Sequence, residues 1–213
     1  MATEQPETSS PLRTILLVAG VALLSGVMIT GAWEFSHERI LTNERARLLA
    51  SLTSVIDLPA GDQPNAAEIT MSETQSGAPI EQLYAMSNGR ALIAWVYVVS
   101  APQGYNGPIE LLVGIRPDAT ISAVRVLRHR ETPGLGDAIE MEKSDWIQQF
   151  AEKSLGNPAV WALEVDGGSF DAITGATVTP RAVVAAIAAV LDYHAEHVDD
   201  LSAAWSNARG NSE

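Results

Sequence analysis

The chain has 213 residues, no cysteine and a net charge of −13, from 13 Lys+Arg against 26 Asp+Glu. The missing cysteines exclude thiol chemistry and cysteine-held iron–sulfur clusters. The acidic balance argues against nucleic acid as a partner, because such a chain repels phosphates instead of releasing their counterions.

Residues 1–13 form a short polar tail. Thr14 to Trp33 reads TILLVAGVALLSGVMITGAW, without a charge or a proline. At 1.5 Å rise per residue this run spans about 30 Å, the thickness of a bilayer's hydrocarbon core. It predicts a single transmembrane helix over 14–33, with Trp33 as an interfacial anchor. A cleaved signal peptide would need a shorter apolar core and a small-x-small cleavage site. The flanking arginines, Arg13 before the run and Arg39, Arg45 and Arg47 after it, lean toward a cytoplasmic C-terminal side by the positive-inside count. Residues 34–79 read as a juxtamembrane helix to about residue 57, then a linker rich in Pro, Gly, Ser, Thr and Glu over 58–79.

A folded domain is expected over 80–200, with a C-terminal tail over 201–213. Ile80–Met86 and Ala91–Ser100 flank an Asn88-Gly89 step, a hairpin signal. Ile109–Ile115 is an apolar run that predicts a buried strand, and Thr120–Leu127 alternates as another. Ser144-Asp145 can cap a short helix carrying Trp146, Ile147 and Phe150. Val160–Val165 reads as a further strand. Thr179 is a candidate N-cap, with Pro180 at the first helical position. The helix it opens runs to about His197, with Val183, Ile187, Val190 and Leu191 as its buried stripe. The fold class is α+β: an N-terminal transmembrane helix, then a domain of mixed antiparallel sheet and helix.

The segment with most chemical content is Asp171-Ala172-Ile173-Thr174-Gly175-Ala176-Thr177-Val178-Thr179-Pro180-Arg181. Gly175 and Ala176 permit close backbone approach. Thr174, Thr177 and Thr179 supply hydroxyls, and the helix start supplies free N–H groups with a partial positive charge. Such a turn can hold a phosphate or be esterified by one. It can equally be a helix entry whose threonines only bond locally. There is no Rossmann or Walker fingerprint elsewhere. The loop Glu131-Thr132-Pro133-Gly134-Leu135-Gly136 is likewise open between a plain Pro-Gly turn and a backbone-rich binding loop. His194 and His197, three apart beside Glu196, read as a solvated helical face and not as a metal site. Trp146 and Trp161 read as core.

Asp171-x-x-Thr174-Gly175-Ala176-Thr177 resembles the flavinylation motif of the FMN-binding domain family. Gly104–Gly114, His129–Asp137, Ser144–Ile147 and Ile173–Val184 extend the likeness. With the anchor, the pattern is similar to G subunits of Rnf/Rsx ion-translocating electron-transport complexes. C subunits of the sodium-translocating NADH:quinone reductase share the motif and anchor. A non-redox, membrane-anchored assembly module is the further alternative. The resemblance implies covalent FMN, esterified through its phosphate to Thr177 by a flavin transferase, with Asp171, Thr174, Gly175 and Ala176 as the surrounding motif. It implies that Leu135 packs on the flavin ring and that Thr132, Gly134 and nearby backbone N–H groups meet its polar edge. Glu131 beside the flavin would oppose negative charge on the reduced ring. It further implies partner subunits in a bacterial inner-membrane complex, one-electron relay coupled to ion movement, and a domain on the periplasmic side, against the arginine count.

Overall fold

The computed structural model describes residues 15–16, 18–26, 28, 47–56, 58, 64–69, 78–88 and 91–210. The chain divides into two compact units, residues 1–48 and 49–213. In the first unit, residues 15–16, 18–26 and 28 are helical, and Ile15, Leu16, Val18, Val21, Leu23, Leu24 and Met28 are exposed. Among the described residues no helix is long and apolar enough to cross a membrane. The expected span over 14–33, and the juxtamembrane helix from residue 34, lie partly outside the described residues.

The second unit is built on a five-stranded antiparallel sheet in simple sequential order: β1 (Asn65–Glu68), β2 (Ile80–Ser87), β3 (Leu92–Ala101), β4 (Ile109–Ile115) and β5 (Ile121–Arg128). The sequence places β2 to β5 because each is bounded by turn residues, β3 and β4 as nearly continuous apolar runs and β5 by its alternation. Strand β1 lies inside the stretch read as linker. It pairs with β2 from Asn65↔Ser87 to Glu68↔Tyr84. Four residues of mixed polarity at a sheet edge carry too little pattern to be seen alone.

Both faces of the sheet are covered, as the continuous apolar runs of β3 and β4 require. On one face Trp95, Tyr97 and Val99 of β3, with Leu111 and Val113 of β4, pack against a long helix α1 (Val178–Gly210). On the other face Ala94, Val96, Val98 and Leu112 pack against Leu52, Val55 and Ile56. Helix α1 passes the expected end at His197 and runs through most of the stretch read as a tail. Leu201 is buried in the same core, and Trp205 is partly buried against it.

Two further expectations are corrected. Val160–Val165 is not a strand. Leu163 makes one parallel bridge to Phe170, and Glu164–Asp166 is a single 3-10 turn. Its backbone groups are spent locally, through Gly168 N–H to Leu163 O, Ser169 N–H to Ala162 O and Glu164 N–H to Phe170 O. The segment's apolar residues instead serve an aromatic cluster of Trp146, Phe150, Trp161 and Phe170, with ring centroids 4.8 to 6.3 Å apart. His194, read as solvated, is 1% exposed. Its Nδ1 lies 2.7 Å from the Tyr97 hydroxyl. Its Nε2 is buried without a hydrogen-bond partner among the described residues. Burial pushes the His194 imidazole down to about 4 and raises the Tyr97 phenol.

Candidate functional site

The β3–β4 register pairs Ala101 with Ile109, and the β4–β5 register pairs Glu110 with Arg128. The β3–β4 loop and the segment leaving β5 therefore emerge at the same end of the sheet. The start of α1 joins them there. A cleft of about 460 Å³ lies between these three segments, lined by Tyr105, Glu131, Thr132, Leu135, Gly136, Gly175, Ala176, Thr177, Val178 and Thr179. Its size falls within the roughly 300–1,000 Å³ of ordinary small-molecule clefts.

The motif enters this cleft as a tight turn. Ala176 N–H donates to Ile173 O at 3.0 Å, and Gly175, third in the turn, has φ +81°. A glycine is the residue that adopts this value without cost. A Cβ at Gly175 would also sit 3.3 Å from Leu135 Cδ2. The turn is held from behind by the 3-10 helix Asp145–Phe150, whose Ser144 cap accepts from Trp146 N–H. Trp146 Nε1 donates to Asp171 O at 2.6 Å, and Asp171 N–H donates to Gln149 Oε1 at 2.8 Å. Trp146 thus fixes the first residue of the motif as well as packing on Phe150.

Thr177 takes the N-cap position expected for Thr179. Its carbonyl accepts the first helical bond, from Arg181 N–H at 3.3 Å, and α1 begins at Val178. The Thr177 side chain is exposed. Its hydroxyl, and the N–H groups of Thr177, Val178 and Thr179, have no hydrogen bond among the described residues. Pro180 has no N–H to satisfy. Thr179 lies inside the first turn and is 1% exposed. Its hydroxyl donates to Glu131 Oε2.

Glu131 is the hub of the cleft floor. It is 4% exposed, and its other oxygen, Oε1, accepts from Asn106 N–H at 3.0 Å. Its own N–H donates to His129 Nδ1 at 3.0 Å, while His129 Nε2 faces Glu140 Oε1 at 2.5 Å. Both Glu131 oxygens are thus turned onto protein donors from two other segments. Thr132 accepts from Asn106 Nδ2 at 3.0 Å, and its carbonyl receives the N–H groups of Leu135 and Gly136 at 3.1 Å. Leu135 is left 45% exposed at the cleft edge.

Of the residues singled out from the sequence, Thr177, Gly175, Ala176, Glu131, Thr132 and Leu135 come together on the cleft. Asp171, Thr174 and Gly134 do not line it. Gly136 and Thr179, members of the loop and turn read as binding segments, line it as well, and Tyr105 and Val178 line it without having been placed there from the sequence. Tyr105 belongs to a visible turn, but only the strand register brings that turn beside the helix start.

The donor set suits FMN. Three free N–H groups at a helix start, beside an exposed hydroxyl, match a phosphate monoester. The apolar Leu135, Val178 and Tyr105 suit an isoalloxazine face, and the backbone and hydroxyl of Thr132 suit its polar edge. Arg181, in the same first turn, is directed to Asp166 through bonds of 2.5 and 2.8 Å, which hold the Asp166 carboxyl below its usual range.

Residues 104–192 match the FMN-binding domain family. The chain is 41% identical over 182 residues to a Cereibacter sphaeroides protein named as the G subunit of an ion-translocating oxidoreductase complex, covering 84% of this chain and 82% of that one. A Pseudomonas aeruginosa protein of the same name is 40% identical over 192 residues, covering 86% and 88%. One from Vibrio cholerae is 36% identical over 191 residues, covering 87% and 91%. The cleft bounded by the 104–108 loop, the 131–136 loop and the Thr177 helix start lies wholly inside the matched domain, and the chain belongs to the family of ion-translocating oxidoreductase complex G subunits.

Proposed function

We propose that this chain is a membrane-anchored flavoprotein subunit that carries FMN in phosphoester linkage to Thr177. In this reading it relays electrons, one at a time, between neighbouring subunits of an Rnf-type complex that couples redox to ion movement. The observation that carries it is the state of Thr177: an exposed hydroxyl with no hydrogen bond, at a helix N-cap beside three free N–H groups, on the rim of an FMN-sized cleft. A threonine hydroxyl is a weak nucleophile, and no base is bonded to it, so attachment calls for a separate flavin transferase with FAD as donor. The Thr177 Oγ1–phosphorus bond forms, the pyrophosphate bond of FAD breaks, AMP leaves, and the hydroxyl proton passes to a base of the transferase.

When bound, the flavin supplies the redox chemistry. The chain's part is to hold and orient it. The free N–H groups and the positive end of α1 would receive the single negative charge of the phosphodiester. Leu135 and Val178 would pack on the ring face and keep water from it. Glu131, with both oxygens engaged, sets the spacing of the three segments. A tethered group at an open cleft can face more than one partner without being lost. The apolar run at 14–33 anchors the chain in the bacterial inner membrane, with the domain on the periplasmic side, and the other subunits of the complex are its partners.

The test is co-expression with a flavin transferase, followed by a denaturing gel viewed under ultraviolet light. Fluorescence that survives denaturation in the wild type and is absent from Thr177→Ala is the expected outcome. A dark wild-type band would overturn covalent attachment, and flavin released by denaturation would replace it with a non-covalent site.

A further inference from the structure

The 104–108 loop holds one side chain whose exposure nothing in the fold requires. Tyr105 is 69% exposed, and its hydroxyl has no hydrogen bond among the described residues. Yet the loop that carries it is held firmly. Asn106 N–H donates to Glu131 Oε1 at 3.0 Å, and Asn106 Nδ2 donates to Thr132 Oγ1 at 3.0 Å. At Gly104 the backbone passes so close that a Cβ would lie 2.2 Å from Gly107 O and 3.0 Å from Glu131 Oε1. The anchoring bonds all run through the neighbour of Tyr105, and they end on two residues that themselves line the cleft. The result is a large aromatic ring on a fixed stalk, standing at the cleft and satisfied by nothing. Aromatic rings left at a cleft wall in this way are the common means of covering a planar ligand face.

We infer that Tyr105 is a positioning residue that packs its ring on the isoalloxazine, giving the flavin an aromatic wall from the β3–β4 loop to complement the aliphatic Leu135 from the segment after β5. The inference rests on the reading that FMN is attached at Thr177. It also gives the Glu131–Asn106 bond a purpose: the same carboxylate that fixes the helix start through Thr179 fixes the ring wall through the loop.

A phenol ring against a flavin quenches its emission. One electron passes from the ring to the photoexcited isoalloxazine and returns, with no net reaction. An aliphatic residue cannot donate that electron, and an indole donates it more readily than a phenol. The experiment uses the full-length chain, flavinylated by co-expression with a transferase, as wild type, Tyr105→Leu and Tyr105→Trp. Intact mass verifies the attached flavin in each, and fluorescence lifetime is then compared at matched flavin concentration. Tyr105→Leu is expected to lengthen the mean lifetime severalfold, while Tyr105→Trp keeps it as short as the wild type or shorter. The exposed position leaves the core untouched, so thermal melts of the three proteins without flavin should coincide. Equal lifetimes in all three flavinylated proteins would overturn the role of Tyr105 alone. A wild type with no covalent flavin would overturn the attachment reading and this inference together.

Discussion

At the scale of single residues, the site turns on one buried carboxylate and two threonines with opposite roles. Thr177 is exposed with a free hydroxyl, whereas Thr179 is buried with its hydroxyl on Glu131. Thr179→Val keeps the shape and removes a donor from a buried charged group. It should cost about 1–3 kcal/mol, seen as a lower urea midpoint at unchanged slope, and Thr179→Ser should recover most of it. Gly175→Ala forces a side chain into φ +81° and to within 3.3 Å of Leu135 Cδ2. The left-handed conformation alone costs about 1–2 kcal/mol. The variant should accept less flavin than the wild type after equal exposure to the transferase, measured by intact mass. The turn itself was legible because its chemistry is local: glycine, hydroxyls and proline sit within a few positions of one another. The cap was misassigned because Thr179 is drawn inward by Glu131, 48 residues away, and no local pattern carries that bond.

At the scale of elements, α1 is held to the sheet by its apolar stripe and by a polar contact, Tyr97 to His194. The stripe of Val183, Ile187 and Val190 continues at helical spacing to His194 and Leu201, so the burial of His194 was present in the periodicity. The polar neighbours Glu196 and His197 concealed it. His194 is held neutral in the fold, with its imidazole at about 4 against 6.5 when unfolded. Between those values the unfolded chain binds more protons, so stability rises with pH there, is complete above about 6.5 and is lost as pH falls toward 4. The loss is on the order of 3 kcal/mol over that window. Urea midpoints measured from about pH 7 to about pH 4.5 should fall, and in His194→Gln that slope should flatten. The far end of the helix is equally structural. A chain stopped after His197 loses buried Leu201 and the partly buried Trp205, and should be destabilised by about 3 kcal/mol or more. A stop after Asn207 should have little effect. Strands β3 and β4 were readable because two-sided burial leaves nearly unbroken apolar runs, and β2 and β5 because turn residues bound shorter, partly apolar segments. Val160–Val165 has such a run too, but its backbone is spent on a local turn and its side chains on the aromatic cluster.

At the scale of the whole molecule, the described parts fit a tethered carrier: an apolar N-terminal stretch, then a compact domain whose cleft opens beside a threonine with free N–H groups around it. The assembly of the cleft from three segments was not legible in advance, since it depends on register and on where α1 starts. On the proposed topology, a periplasm-active reporter fused after Glu213 should be active, and activity only from a cytoplasm-active reporter would reverse the sidedness. The most direct test of the account is the intact mass of the purified chain after co-expression with a flavin transferase, with peptide mapping of any added mass. The expected result is the added mass of one FMN less one water, carried on the peptide that contains Thr177 and lost in Thr177→Ala. An unmodified mass, or flavin mapped to another residue, would contradict it.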